Sequence, residues 1–81
     1  MNDTGELAIE IRRILTLALK IPANKYRCLD RDTVPEWDSL KHIEIVFALE
    51  DRFEVEFSDA EIPSLVSEEI ILRAIAASHA P

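Results

Sequence analysis

Apolar residues return every three or four positions along most of this chain, and only one residue is glycine. That spacing belongs to helices packed through one face, not to strands, whose buried side chains alternate with exposed ones. The first stripe is Leu7, Ile11, Ile14, Leu15 and Ala18, preceded by Asp3 and Glu6 at the spacing of a capping box and stopped by Pro22. A second helix is predicted from about Ser39 to Phe53. Ser58 and Glu61 repeat the capping spacing before Ile62 and Leu65, which predicts a short third helix limited by Pro63. Ser67 is placed to cap a last helix with Glu68 and Glu69 in its first turn and Ile71, Leu72 and Ile75 on its buried side. The expectation is one all-α domain over residues 1–81, a four-helix bundle with a long first loop and a short third helix.

Size and composition exclude several classes of function. A chain of 81 residues has a modest core and little room for a deep substrate pocket, so catalysis by this chain alone is not expected. No apolar run approaches the roughly 20 residues that cross a bilayer, so membrane insertion is not expected either. The opening MNDTGELAIE lacks the basic and apolar regions of a signal peptide, and the expected location is the cytoplasm. Cys28 is the single cysteine; it has no partner for an internal disulfide and no framework for zinc, and reads as an incidental thiol.

The formal charge of −7 is unevenly spread. Residues 1–35 carry five acids and six bases, whereas residues 36–69 carry eleven acids against only Lys41 and Arg52. Such a surface repels nucleic acid and steers partners that bear Lys/Arg patches toward it. The plain alternative is an ordinary solvated acidic surface.

Residues 22–38 hold Pro22, Asn24, Asp30, Asp32 and Pro35 without a period, and read as a long loop crossing the domain. Long loops in small domains are frequent carriers of function. Asp30 and Asp32 begin like a calcium-binding EF-hand loop, but Val34 stands at the third ligand, Pro35 at the obligatory glycine and Lys41 at the bidentate glutamate, so no metal site is expected.

The second helix has two apolar faces. At about 100° per residue from Leu40, the residues Ile45, Val46, Leu49 and Phe53 fall between roughly 140° and 240°, a face for the core. His42 falls in the same sector. Leu40, Ile43 and Phe47 fall between roughly 300° and 360°, interleaved with Glu44, Glu50, Asp51 and Glu54. This second stripe is either a docking surface or a face covered by the long loop.

Ser39 stands where loop becomes helix, and a serine there is ordinarily an N-cap. A phosphate ester at the same position would face free backbone N–H groups and the positive end of the helix dipole. Asp38 beside it could offer a carboxylate to a magnesium ion held by an incoming phosphate donor. A nucleophilic serine assisted by His42 is the rival chemistry. It suffers from a histidine directed at the core, and from the lack of an evident oxyanion hole or a carboxylate behind the histidine.

The run DSLKHIEIVFALEDRFEVEF resembles the acyl carrier protein family. Asp38-Ser39-Leu40 matches the family's D-S-L motif, and Glu44 to Phe53 match its E-[IL]-V-x-A-L-E-[DE]-x-F pattern. The order of long helix, long loop, this helix, short helix and final helix is similar to the family over nearly the whole chain.

The resemblance implies that Ser39 carries 4′-phosphopantetheine through a phosphodiester and that Asp38 helps a phosphopantetheinyl transferase place its metal. It implies that Leu40, Ile43 and Phe47 are exposed contacts, and that Glu44, Glu50 and Asp51 meet basic patches on the transferase and on acyl-loading and acyl-processing enzymes. A carrier of this kind is expected to be a monomer. It needs no active site, because the thiol of its arm holds the cargo as a thioester and its partners catalyse. Lys41, Trp37 and His42 depart from the residues usual in carriers of fatty acid synthesis, and W-D-S-L is similar to free-standing carriers of specialised pathways. Aminoacyl and peptidyl carriers share the fold. A helical interaction adaptor that uses its acidic face without modification is the reading from another class.

Overall fold

Among the described residues, three α-helices form the frame: α1 (Asp3–Leu19), α2 (Ser39–Phe53) and α3 (Glu68–Ser78). They are seen in a computed structural model that describes residues 3–78, with the side chains of residues 3 and 4 left out. The capping role expected of Asp3 therefore lies outside the described residues. Helix α1 packs against both others, and no helix among the described residues is long and apolar enough to cross a membrane.

The helical stripes form the core. Ile11, Leu15 and Leu19 from α1, Ile45, Val46 and Leu49 from α2, and Ile71 and Ile75 from α3 are all buried. Leu7, Ile14, Ala18, Phe53 and Leu72 pack half-buried around them. Each fully buried side chain of this size is worth roughly 1.5–3 kcal/mol relative to leaving it in water. The long loop contributes as much as a helix does, through buried Leu29, Val34 and Trp37.

Helix α1 ends before Pro22 is reached. Lys20 adopts a left-handed conformation, with φ 58°, while its amide donates to the Leu17 carbonyl and the Ile21 amide to that of Thr16. This is the Schellman closure, which usually takes glycine at the left-handed position. Helix α2 closes on Glu54, with φ 53°, in a related way: the Val55 amide reaches back to the Glu50 carbonyl.

Two bonding systems turn the irregular loop into a fixed strap. Arg12 donates from Nε to the Ala23 carbonyl and from Nη1 to the Arg27 carbonyl, and contacts the Tyr26 carbonyl through Nη2. The same guanidinium pairs with Glu68 Oε1 at 2.6 Å, and that oxygen also accepts the Leu29 amide. Downstream, the Arg31 amide donates to the Val66 carbonyl and the Glu68 amide to the Leu29 carbonyl, a short antiparallel bridge between Asp30 and Ser67. The backbone of the loop thus finds partners that no helix ladder supplies.

The expected third helix does not form as one. Ser58 and Glu61 do exchange the capping-box bonds: the Ser58 amide donates to Glu61 Oε1 and the Glu61 amide to Ser58 Oγ. A single 3₁₀ turn, Ile62–Ser64, then follows. Pro63 has no amide to continue a ladder, and its ring conflicts with the carbonyl four residues earlier. Among the described residues there are therefore three α-helices, with one capped turn where a fourth was expected.

Candidate functional site

The start of α2 is capped by Asp38. Its backbone is extended, its carbonyl accepts the His42 amide, and its Oδ1 accepts the Lys41 amide at 2.9 Å. The expectation that Ser39 is the N-cap is thereby corrected. Ser39 is the first residue of the helix, it is exposed, and its hydroxyl is not used in capping. What its Oγ does receive is a hydrogen bond from Arg31 Nη2 at 3.0 Å. The site is an exposed serine at a helix start, preceded in sequence by the Asp38 carboxylate and hydrogen-bonded by the Arg31 guanidinium.

This donor set suits a phosphate ester on Ser39. An ester oxygen needs no proton to persist, the first-turn amides and the Arg31 cation both favour an anion there, and the exposed position leaves room for a chain to extend into solvent.

Ser39 and His42 do not pair. His42 is 4% exposed and lies between Trp37 and the 3₁₀ turn. Trp37 Nε1 donates to His42 Nδ1 at 3.1 Å, and His42 Nε2 lies 2.7 Å from the Ile62 carbonyl. An indole N–H can only donate and a carbonyl can only accept, so the imidazole is the neutral tautomer with its hydrogen on Nε2. Both nitrogens are occupied away from the serine, and the proton relay required by the hydrolase reading is not assembled. Trp37 and His42, seen in the sequence as departures from a familiar pattern, are a matched buried pair that anchors Ile62 to α2.

The outer face of α2 is open. The loop does not cover it: Leu40 is 67% and Phe47 63% exposed, and Ile43 is exposed as well. Glu44 and Asp51 lie on the same face, Glu44 with Lys41 Nζ at 3.4 Å. Glu50 also holds the backbone. It is half-buried, and its Oε2 accepts the Phe57 amide at 2.9 Å, fixing the chain as it leaves α2.

A cluster of charged and polar side chains lies within the strap. Glu36 accepts from Lys25 Nζ at 2.7 Å and from the Tyr26 hydroxyl at 2.9 Å. The Lys25 bond, with backbone and Tyr26 donors behind it, holds the Glu36 carboxyl below its ordinary value. Lys25 is raised in turn, chiefly by the same bond, and Tyr26 is raised chiefly by desolvation.

Arg31 is the site residue that the sequence did not single out. It sits eight positions before Ser39 in an aperiodic loop, and only the strap's fold brings the two together. The available signal was that residues 31–35 place one base directly ahead of the acid-rich stretch. No family model and no curated protein matches this chain.

Proposed function

We propose that this chain is a carrier protein that holds acyl or aminoacyl intermediates on a 4′-phosphopantetheine arm attached to Ser39. The observation that carries the reading is the division of labour at the start of α2: Asp38 takes the capping role, so the Ser39 hydroxyl is exposed and available for esterification. The motif D-S-L and the acid-and-apolar pattern after it support the same reading from the sequence. In this reading the Ile62–Ser64 turn takes the place of the short third helix of a four-helix carrier.

The chain's own residues would do three things. Ser39 Oγ supplies the attachment atom. Asp38 offers its second carboxylate oxygen to a metal ion delivered with the phosphate donor, while Oδ1 keeps the helix capped. Leu40, Ile43 and Phe47 give partner enzymes an apolar footing, with Glu44 and Asp51 at its edge to orient basic docking patches. When bound, the arm supplies a thiol on which cargo is held as a thioester.

Thiol counting tests the proposal in a Cys28→Ser background, which removes the exposed native thiol. Incubation with coenzyme A and a broad-specificity phosphopantetheinyl transferase should then give one titratable thiol per chain, able to accept an acyl group. A chain that stays thiol-free while a control carrier is converted would favour the unmodified adaptor.

A further inference from the structure

The Arg31–Ser39 contact goes beyond attachment itself. Arg31 Nη2 is 3.0 Å from Ser39 Oγ, the atom to which a phosphorus would be bonded, so the non-bridging oxygens of a phosphate ester would lie only two bonds beyond an atom that Arg31 already touches. A guanidinium presents several N–H groups in a planar fork and engages two phosphate oxygens at once. No described carboxylate pairs with the Arg31 guanidinium, so no competing ion pair draws its head group away from Ser39. Its backbone amide is bonded to Val66, so the residue is fixed at its root while its head is committed only to the serine. The Asp38 carboxylate, next to Ser39 in sequence, would repel an ester's negative charge, and the Arg31 cation in contact with Ser39 offsets that repulsion.

We propose that Arg31 is the positioning residue for the phosphate ester on Ser39, pairing with the phosphodiester and so setting the direction in which the arm leaves the protein. This rests on the carrier reading for the identity of the ester, but the pairing itself can be tested without a transferase.

The experiment uses the full chain with phosphoserine incorporated at position 39, followed by ³¹P NMR as pH is varied. With Arg31 present the phosphate should lose its second proton roughly one pH unit lower than in Arg31→Gln, because an adjacent cation favours the dianion. Arg31→Lys should recover part of the difference. Arg31→Gln keeps the backbone bridge to Val66, and an unchanged melting temperature would show that folding is not the cause. In a second arm, the transferase-loaded chain should show a salt-dependent ³¹P shift that Arg31→Gln abolishes. Identical ³¹P titrations for wild type and Arg31→Gln would overturn the proposal. Failure of the transferase to load either chain would count against the carrier reading instead, and the phosphoserine titration would still decide the role of Arg31.

Discussion

Asp38 Oδ1 accepts the Lys41 amide at 2.9 Å, so the residue before the serine, and not the serine, caps helix α2. Asp38→Ala should therefore lose about 1 kcal/mol of stability, the usual cost of deleting a cap, and melt roughly 4–8 °C lower for a domain of this size. Ser39→Ala should melt close to wild type, since alanine is a good first-turn residue and only the Arg31 contact is lost. Thermal melts of the two variants side by side check this. A larger drop for Ser39→Ala than for Asp38→Ala would return the capping role to the serine.

The Trp37–His42–Ile62 chain gives a second expectation. Trp37→Phe keeps an aromatic ring but strands His42 Nδ1 without its donor, and should cost about 1–3 kcal/mol as a buried polar atom goes unsatisfied. Nitrogen-15 spectra of the wild-type imidazole near neutral pH should show the tautomer with hydrogen on Nε2. A spectrum with hydrogen on Nδ1 would contradict the bonding described.

The core stripes, the span of α2 and the Ser67 cap of α3 were legible in the sequence because periodicity and capping chemistry are local, whereas the cap of α2 lies one residue before the expected Ser39. Ile11, Leu15, Ile45, Leu49, Ile71 and Ile75 occupy the core on the face their spacing dictates. Ser67 Oγ accepts the Ile70 amide where a cap of α3 was expected. The inward direction of His42 follows from the same helical wheel, whereas the wheel allows the Leu40 and Phe47 face to be either open or covered by the loop, and the fold leaves it open.

What the sequence did not disclose depends on contacts between distant residues. Leu29, Val34 and Trp37 are core residues without a period, buried because Arg12 and Glu68 clamp the strap from α1 and α3. Arg31 reaches Ser39 only after that strap has folded. The third helix was over-read because the Ser58–Glu61 capping box is real, yet a cap next to Pro63 leaves only a turn to be capped.

Acid stability should depend on Glu36. Its folded-state carboxyl is held below the ordinary value of 4.5, so the unfolded chain binds the proton first. The stability it contributes is fully present above that value and is lost as pH falls through the folded one. Glu36→Gln should therefore melt below wild type at pH 7, and the gap between them should narrow as the pH is taken well below 4.5. A constant gap across that range would show that the Lys25 and Tyr26 bonds to Glu36 do not contribute through its charge.

Two neighbours on α2 should behave in opposite ways. Phe47→Ala removes an exposed ring and should leave the melting temperature nearly unchanged, against about 3–5 kcal/mol for a buried phenylalanine, while speeding dissociation from the transferase. Glu44→Lys with Asp51→Lys should slow association and flatten its dependence on salt. Glu50→Ala, by contrast, should destabilise the fold by about 1–3 kcal/mol, since it frees the Phe57 amide. Melting curves combined with association and dissociation rates separate the cases. A large loss of stability in Phe47→Ala would move that ring into the core and end its candidacy as a contact.

The central claim is that Ser39 is the attachment point of a phosphopantetheine arm, and intact mass reads it most directly. After incubation with coenzyme A, magnesium and a broad-specificity phosphopantetheinyl transferase, wild type should gain the mass of one phosphopantetheinyl group, and Ser39→Ala, folded to the same melting temperature, should gain none. A wild-type mass that does not change under conditions that convert a control carrier, or an equal gain in Ser39→Ala, would contradict the account.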